Sequence, residues 1–105
     1  MDKDEIAELS KIIELNPDDA VAYRNRGVAY LGKGEWDAAI ADYNRAIQRS
    51  PDYSILYGLR GYVYFNKGEF DEAIADYSQA IGLNPDSAEA YYKRGLAYDN
   101  KGEFD

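Results

Sequence analysis

A spacing of 34 residues governs this chain more tightly than any single motif in it. Tyr57, Arg60-Gly61, Tyr64, the run Lys67-Gly68-Glu69-Phe70-Asp71, Ala73-Ile74, Asp76-Tyr77, Ala80-Ile81 and Pro85 form one set of landmarks. One period earlier stand Tyr23, Arg26-Gly27, Tyr30, Lys33-Gly34-Glu35-Trp36-Asp37, Ala39-Ile40, Asp42-Tyr43, Ala46-Ile47 and Pro51. Tyr91, Arg94-Gly95, Tyr98 and Lys101-Gly102-Glu103-Phe104-Asp105 begin the series again, and Asn16-Pro17-Asp18 marks an earlier boundary. Half of the aligned positions are identical between residues 20–53 and 54–87. A fixed period of this size is the mark of a stacked repeat, in which a lone unit buries too little apolar area and neighbours complete the core. The organisation read from it is one domain over 1–105. It comprises a single helix or half-repeat at 1–19, repeats at 20–53 and 54–87, and a truncated repeat at 88–105.

Within each period the apolar spacing is helical. Ile6, Leu9, Ile12, Ile13 and Leu15 recur at three and four residues and predict a helix over 4–15. Asn16-Pro17 ends it, because the residue before proline is pushed out of the α region. Further helices are expected over 20–33, 36–49, 54–67, 70–83 and 88–100, with the start of a seventh after Gly102. Ser54 and Ser87 are the expected caps of the fourth and sixth. Gly34 and its repeats can take the left-handed conformation that terminates a helix, and Glu35 and Asp37 suit the positive end of a helix dipole. Gly27 and Gly61, facing Ala39 and Ala73, should let the two helices of a unit approach closely, while Ala46 and Ala80 should meet the following unit. Arg26 and Arg60 are expected to reach Asp42 and Asp76 on the partner helix as partly exposed ion pairs. Arg94 has no corresponding aspartate in its own unit.

Chemistry finds little foothold. The chain has neither cysteine nor histidine, which removes disulfides, thiolate metal sites and the commonest acid/base group. Its carboxylates recur with the array at loops and helix starts, and no calcium loop or phosphate-cradling glycine loop appears. No enzyme activity, metal or cofactor is therefore expected. A net charge of −8 opposes nucleic-acid binding. No apolar run approaches the length needed to span a bilayer, and no secretory signal pattern opens the chain. The expectation is a soluble, cytoplasmic protein, or a piece of a longer repeat protein.

Tyr23, Arg26-Gly27, Tyr30, Ala39, Tyr43 and Pro51, repeated as Tyr57, Arg60-Gly61, Tyr64, Ala73, Tyr77 and Pro85, form a pattern that resembles the tetratricopeptide repeat. Arginine stands where the family pattern has leucine, and the first helix carries Glu5 and Ile12 where later units have alanine, as in an end cap. The resemblance implies an all-α, right-handed α-solenoid of antiparallel helix pairs. Its concave face is lined by the first helix of each unit and usually binds partner peptides. The columns so placed are Val21, Arg24, Asn25, Val28 and Leu31, then Ile55, Leu59, Tyr62 and Phe65, then Tyr92, Lys93 and Leu96, with Glu89 and Asp99 beside them. Some members of the family grip a partner's terminal carboxylate with Lys, Asn and Arg. Here Leu59 and Glu89 occupy the asparagine and lysine columns, leaving Asn25 and Lys93 isolated, so an apolar or aromatic-bearing segment is the expected ligand.

A contiguous exposed apolar strip through Val28, Tyr62 and Leu96 reads as a protein-binding surface. The alternative is structural. A chain that opens with a second-type helix and closes with a first-type helix could stack head to tail, joining Ile6, Glu8, Leu9 and Ile13 of one molecule to Arg94 and Tyr98 of the next, with Glu8 in the column of Asp42 and Asp76.

Overall fold

Short polar residues, glycine and proline set the limits of most elements. The computed structural model describes residues 4–102, which form α1 (Glu5–Leu15), α2 (Ala20–Gly32), α3 (Trp36–Arg49), α4 (Ser54–Asn66), α5 (Phe70–Leu83) and α6 (Ala88–Lys101). Among the described residues there is no strand. The seventh helix expected after Gly102 lies outside them.

The cap column is Asp19, Tyr53 and Ser87. Asp19 accepts the Ala22 N–H at 3.1 Å, and Ser87 accepts that of Ala90 at 3.2 Å. Asp4 does the same for Ala7 at the start of α1. The expected cap at Ser54 is not there: Tyr53 takes the position without a side-chain capping bond, and Ser54 is already the first helical residue. Its hydroxyl stands one residue too late to reach the orphan N–H groups. At the other end of α2, Gly34 adopts φ 75°. Its N–H bonds the Leu31 carbonyl at 2.9 Å and the next N–H, Glu35, reaches back to Tyr30 at 3.0 Å. This αL glycine satisfies the last carbonyls and turns the chain into α3. Gly68 repeats the device with φ 80° between α4 and α5.

The helices fall into two compact units, α1–α3 and α4–α6, divided at Pro51. In the first, α2 packs on both α1 and α3. Its interior holds Leu9, Ile13, Ala22, Tyr23, Ala39, Tyr43 and Ala46. Gly27 is there because of Tyr43: a Cβ at Gly27 would stand 2.7 Å from Tyr43 Cε1. The close approach is thus glycine to ring, not glycine to Ala39. Enclosure leaves the Tyr43 hydroxyl without a hydrogen-bond partner. Burial first, and then the nearby Asp42 carboxylate, push its pKa up to about 12.

In the second unit α4 packs on α5, α5 on α6, and α4 also touches α6. Leu56, Tyr57, Val63, Ala73, Tyr77, Ala80, Ile81, Ala90 and Ala97 are buried. Gly61 meets Tyr77 less tightly than Gly27 meets Tyr43, since a Cβ added to it would lie 3.1 Å from Cε1 of that ring. Phe65, which the sequence places in a groove, is half-buried. It packs against the cluster of Ala73, Tyr77 and Ala97 and sets its edge on Phe70 at 5.4 Å, because α4 turns that side toward α5 and α6.

The arginine column forms as expected, with one correction. Arg26 grips Asp42 through Nε and Nη2 at 2.8 Å each, and Arg60 grips Asp76 at 2.8 and 2.7 Å. The carboxylates are buried, not partly exposed, at 2% and 5%. Fork-to-fork geometry compensates their desolvation. The hydrogen bond to the aspartate raises each arginine's pKa, against the opposing effect of burial. Arg26 also donates to Ser10 on α1 at 3.0 Å, so one side chain ties three helices.

Candidate functional site

In the second unit, α4 and α6 lie side by side and present Ile55, Tyr62, Tyr92 and Leu96, all exposed. The Lys93 ammonium sits 4.7 Å from the centre of the Tyr62 ring. It also pairs with Glu89 one turn earlier on α6, at 3.1 Å. A cation held over a ring and neutralised by a carboxylate leaves a flat amphipathic patch: aromatic area in the middle, aliphatic Leu96 beside it, matched charge at the rim. Leu59 is half-buried on the same helix.

In the first unit, α2 exposes Val21 and Val28, with Arg24, Asn25 and Leu31 half-buried. Arg24 donates through Nε and Nη2 to the Asn25 side-chain oxygen at 3.3 and 3.1 Å, so the two polar members engage each other. Val28 also borders an open hollow of about 600 Å³ with Ile6, Ala29, Gly32, Lys33, Asp4 and Glu5. The sequence assigns Ile6 to an end contact and Val28 to a groove. The fold brings them together.

Of the residues assigned to an end contact, Leu9 and Ile13 are buried at 9% exposure each. They face inward because α1 packs on α2, and they are withdrawn from any open surface. Glu8 is exposed, and Ile6, Arg94 and Tyr98 are half-buried. Arg94 donates to Ser78 on α5 at 3.1 Å and stacks near Tyr91. Among the described residues no group of histidine, cysteine, aspartate or glutamate side chains is placed to hold a metal ion, and no helix is long and apolar enough to cross a membrane.

The helices among the described residues, with a glycine under an aromatic ring and an arginine on a buried aspartate in each complete pair, define an all-α helical-repeat protein. Family models described as tetratricopeptide repeat match residues 20–53 and 42–75, and one described as TPR repeat matches 61–102. The chain belongs to the tetratricopeptide-repeat family. No curated protein matches it. Among solved structures, two crystal structures of MamA are 38% identical, cover 92% of this chain and give TM-scores of 0.89 and 0.90. This chain spans 53% and 57% of those two. The first TPR of Spaghetti (RPAP3), bound to the HSP90 peptide SRMEEVD, is 26% identical with a TM-score of 0.89, covering 93% of this chain and 78% of that one.

Proposed function

We propose that this chain is a protein-interaction scaffold, not an enzyme, and that it holds a peptide or helix of a partner on the exposed face of α4 and α6. The observation that carries the reading is the Tyr62 ring, left exposed with Lys93 over it and an exposed Leu96 on the same helix as that lysine. An aromatic anchor with an apolar neighbour and a neutralised rim is what a peptide hot spot requires. The face of α2, with Val21 and Val28, offers the same type of surface in its own unit. Family membership and a structural neighbour that carries a bound peptide support the class of function.

The ligand favoured is apolar or aromatic. Lys93 is paired with Glu89, and leucine and glutamate stand at positions 59 and 89 where a grip on an acidic terminus would need asparagine and lysine, so the donors of such a grip are not assembled. Selection of peptides from a displayed random library on the 105-residue chain tests this. Enriched peptides should carry aromatic or branched aliphatic residues and bind better than SRMEEVD. Tyr62→Ala should weaken them by about 1 kcal/mol or more with the helical spectrum unchanged. Binding indifferent to Tyr62 and Leu96 substitution would remove the assignment.

A further inference from the structure

Three side chains on the face of α4 and α6 depart from the repeat. Tyr62 stands in the column of Val28 and Leu96, Glu89 in that of Val21 and Ile55, and Lys93 in that of Asn25 and Leu59. Apolar or amide side chains serve these columns elsewhere, so the stacked repeat does not dictate a ring, a carboxylate and an ammonium here. Their exposure belongs to the face itself. Val21 on α2 and Ile55 on α4 are each 52% exposed in the column of Glu89, and Val28, Tyr62 and Leu96 are at 45%, 39% and 37% in theirs. The same columns are thus open on α2, α4 and α6 alike.

The fold already holds a cation within this trio. Lys93 Nζ lies 4.7 Å from the centre of the Tyr62 ring and 3.1 Å from Glu89 Oε2. A ring face and a carboxylate that meet at one ammonium make a cation subsite, and Lys93 shows which chemistry it accepts. Its hold is slight. The Glu89 side chain is 75% exposed, and an exposed ion pair one helical turn long is weak, so a better cation can displace the lysine. We infer that a partner's arginine takes this subsite, its guanidinium stacked on the Tyr62 ring and forked onto the Glu89 carboxylate while Lys93 swings out into solvent. Arginine is the better occupant because it is planar, more weakly hydrated than an ammonium, and offers two parallel N–H groups to a carboxylate. This rests on the reading of the face as a peptide-binding surface and adds to the apolar ligand one arginine. Charge favours the exchange. Residues 52–105 hold ten acidic side chains against five basic ones, and Arg60, Lys67, Lys93 and Lys101 are already set on carboxylates. An incoming cation therefore meets surplus negative charge.

The probes are peptides that a displayed random library yields on the 105-residue chain, resynthesised with arginine, lysine or citrulline at one position and titrated by calorimetry. Arginine should be enriched beside the apolar residues. Citrulline keeps the shape and loses the charge, and should bind about five-fold or more weaker, with lysine between the two. Tyr62→Leu keeps apolar area and Glu89→Gln keeps the outline of the carboxylate, yet each should erase most of the preference for arginine over citrulline. Lys93→Met should tighten the arginine peptide about two-fold or more, because a subsite no longer occupied by its own lysine is competent all the time. Circular dichroism checks that each variant is folded, and the exchange on the peptide needs no variant. Apolar binders with no basic residue enriched, a preference for arginine that survives Tyr62→Leu or Glu89→Gln, or binding weakened by Lys93→Met would overturn the subsite and leave the peptide-binding reading standing. A library that yields no binder overturns both.

Discussion

One column supplies a stringent test of the packing: alanine in place of each of Gly27, Gly61 and Gly95. In a helix interior the exchange gains about 1 kcal/mol from reduced backbone entropy alone. At Gly27 the new methyl would lie 2.7 Å from Tyr43 Cε1, and that ring is fully buried and has nowhere to swing. Overpacking of this kind costs about 1–3 kcal/mol. Gly27→Ala should therefore destabilise by up to about 2 kcal/mol after the propensity gain is subtracted. At Gly61 the nearest atoms are 3.1 and 3.2 Å away, so a small adjustment suffices and the two effects nearly cancel. At Gly95 nothing opposes the gain, and Gly95→Ala should stabilise by about 0.5–1 kcal/mol. Urea unfolding followed by circular dichroism reads the midpoints, with constant slopes confirming that only stability has changed. In thermal melts a 1 kcal/mol difference appears as about 4–8 °C. The expected order of stability is Gly95→Ala, then wild type and Gly61→Ala together, then Gly27→Ala. If Gly95→Ala destabilised as much as Gly27→Ala, a helix would have to be covering α6, and the comparison of columns would fail.

Further outcomes follow from individual side chains. Tyr43→Phe removes a buried hydroxyl that has no partner and should raise stability by about 1 kcal/mol in the same urea assay. The raised pKa of Tyr43 means that the folded state holds this proton more tightly than the unfolded chain. The stability it contributes is complete below about pH 10 and falls away as pH rises toward about 12, and the fall should be shallower in Tyr43→Phe. Arg60→Ala strands the Asp76 carboxylate and should cost about 3 kcal/mol, whereas Arg94→Ala in the monomer should cost under about 1 kcal/mol. Ser87→Ala should cost about 1 kcal/mol through the lost cap on α6, and Ser54→Ala almost nothing.

Periodicity makes much of this architecture readable. Helices over 36–49 and 70–83 coincide with α3 and α5, because proline, glycine and acidic residues agree on each boundary. The Arg26–Asp42 and Arg60–Asp76 pairs are legible because both partners repeat together. What the sequence hides is degree. It cannot show that the aspartates are sealed from water, since that depends on how closely α2 meets α3 and α4 meets α5. Tyr53 as the residue before α4 escapes a reading by type, because Ser54 is the better capping residue, one position too late. Phe65 reads as a groove residue by column, yet its half-buried ring also packs edge-on against Phe70 and beside the cluster of Ala73, Tyr77 and Ala97. The contact of Lys93 with Tyr62 escapes as well. The signal for it is a long cationic side chain one helical turn before the tyrosine's own column in the next repeat, close enough to reach across from α6 to α4.

The arginine forks on buried aspartates have one more effect. Sliding α3 by a turn along α2 would leave Asp42 charged in an apolar setting, so the pair polices register where greasy ridges alone would tolerate slippage. It does not police identity. Arg26 and Arg60 offer the same prongs, and Asp42 and Asp76 the same acceptor, so at this contact α3 and α5 are interchangeable. Whatever keeps each helix with its own partner during folding must come from the short αL-glycine turns that tether them, and lengthening the Gly34 or Gly68 turn is the change most apt to yield entangled, helix-swapped molecules.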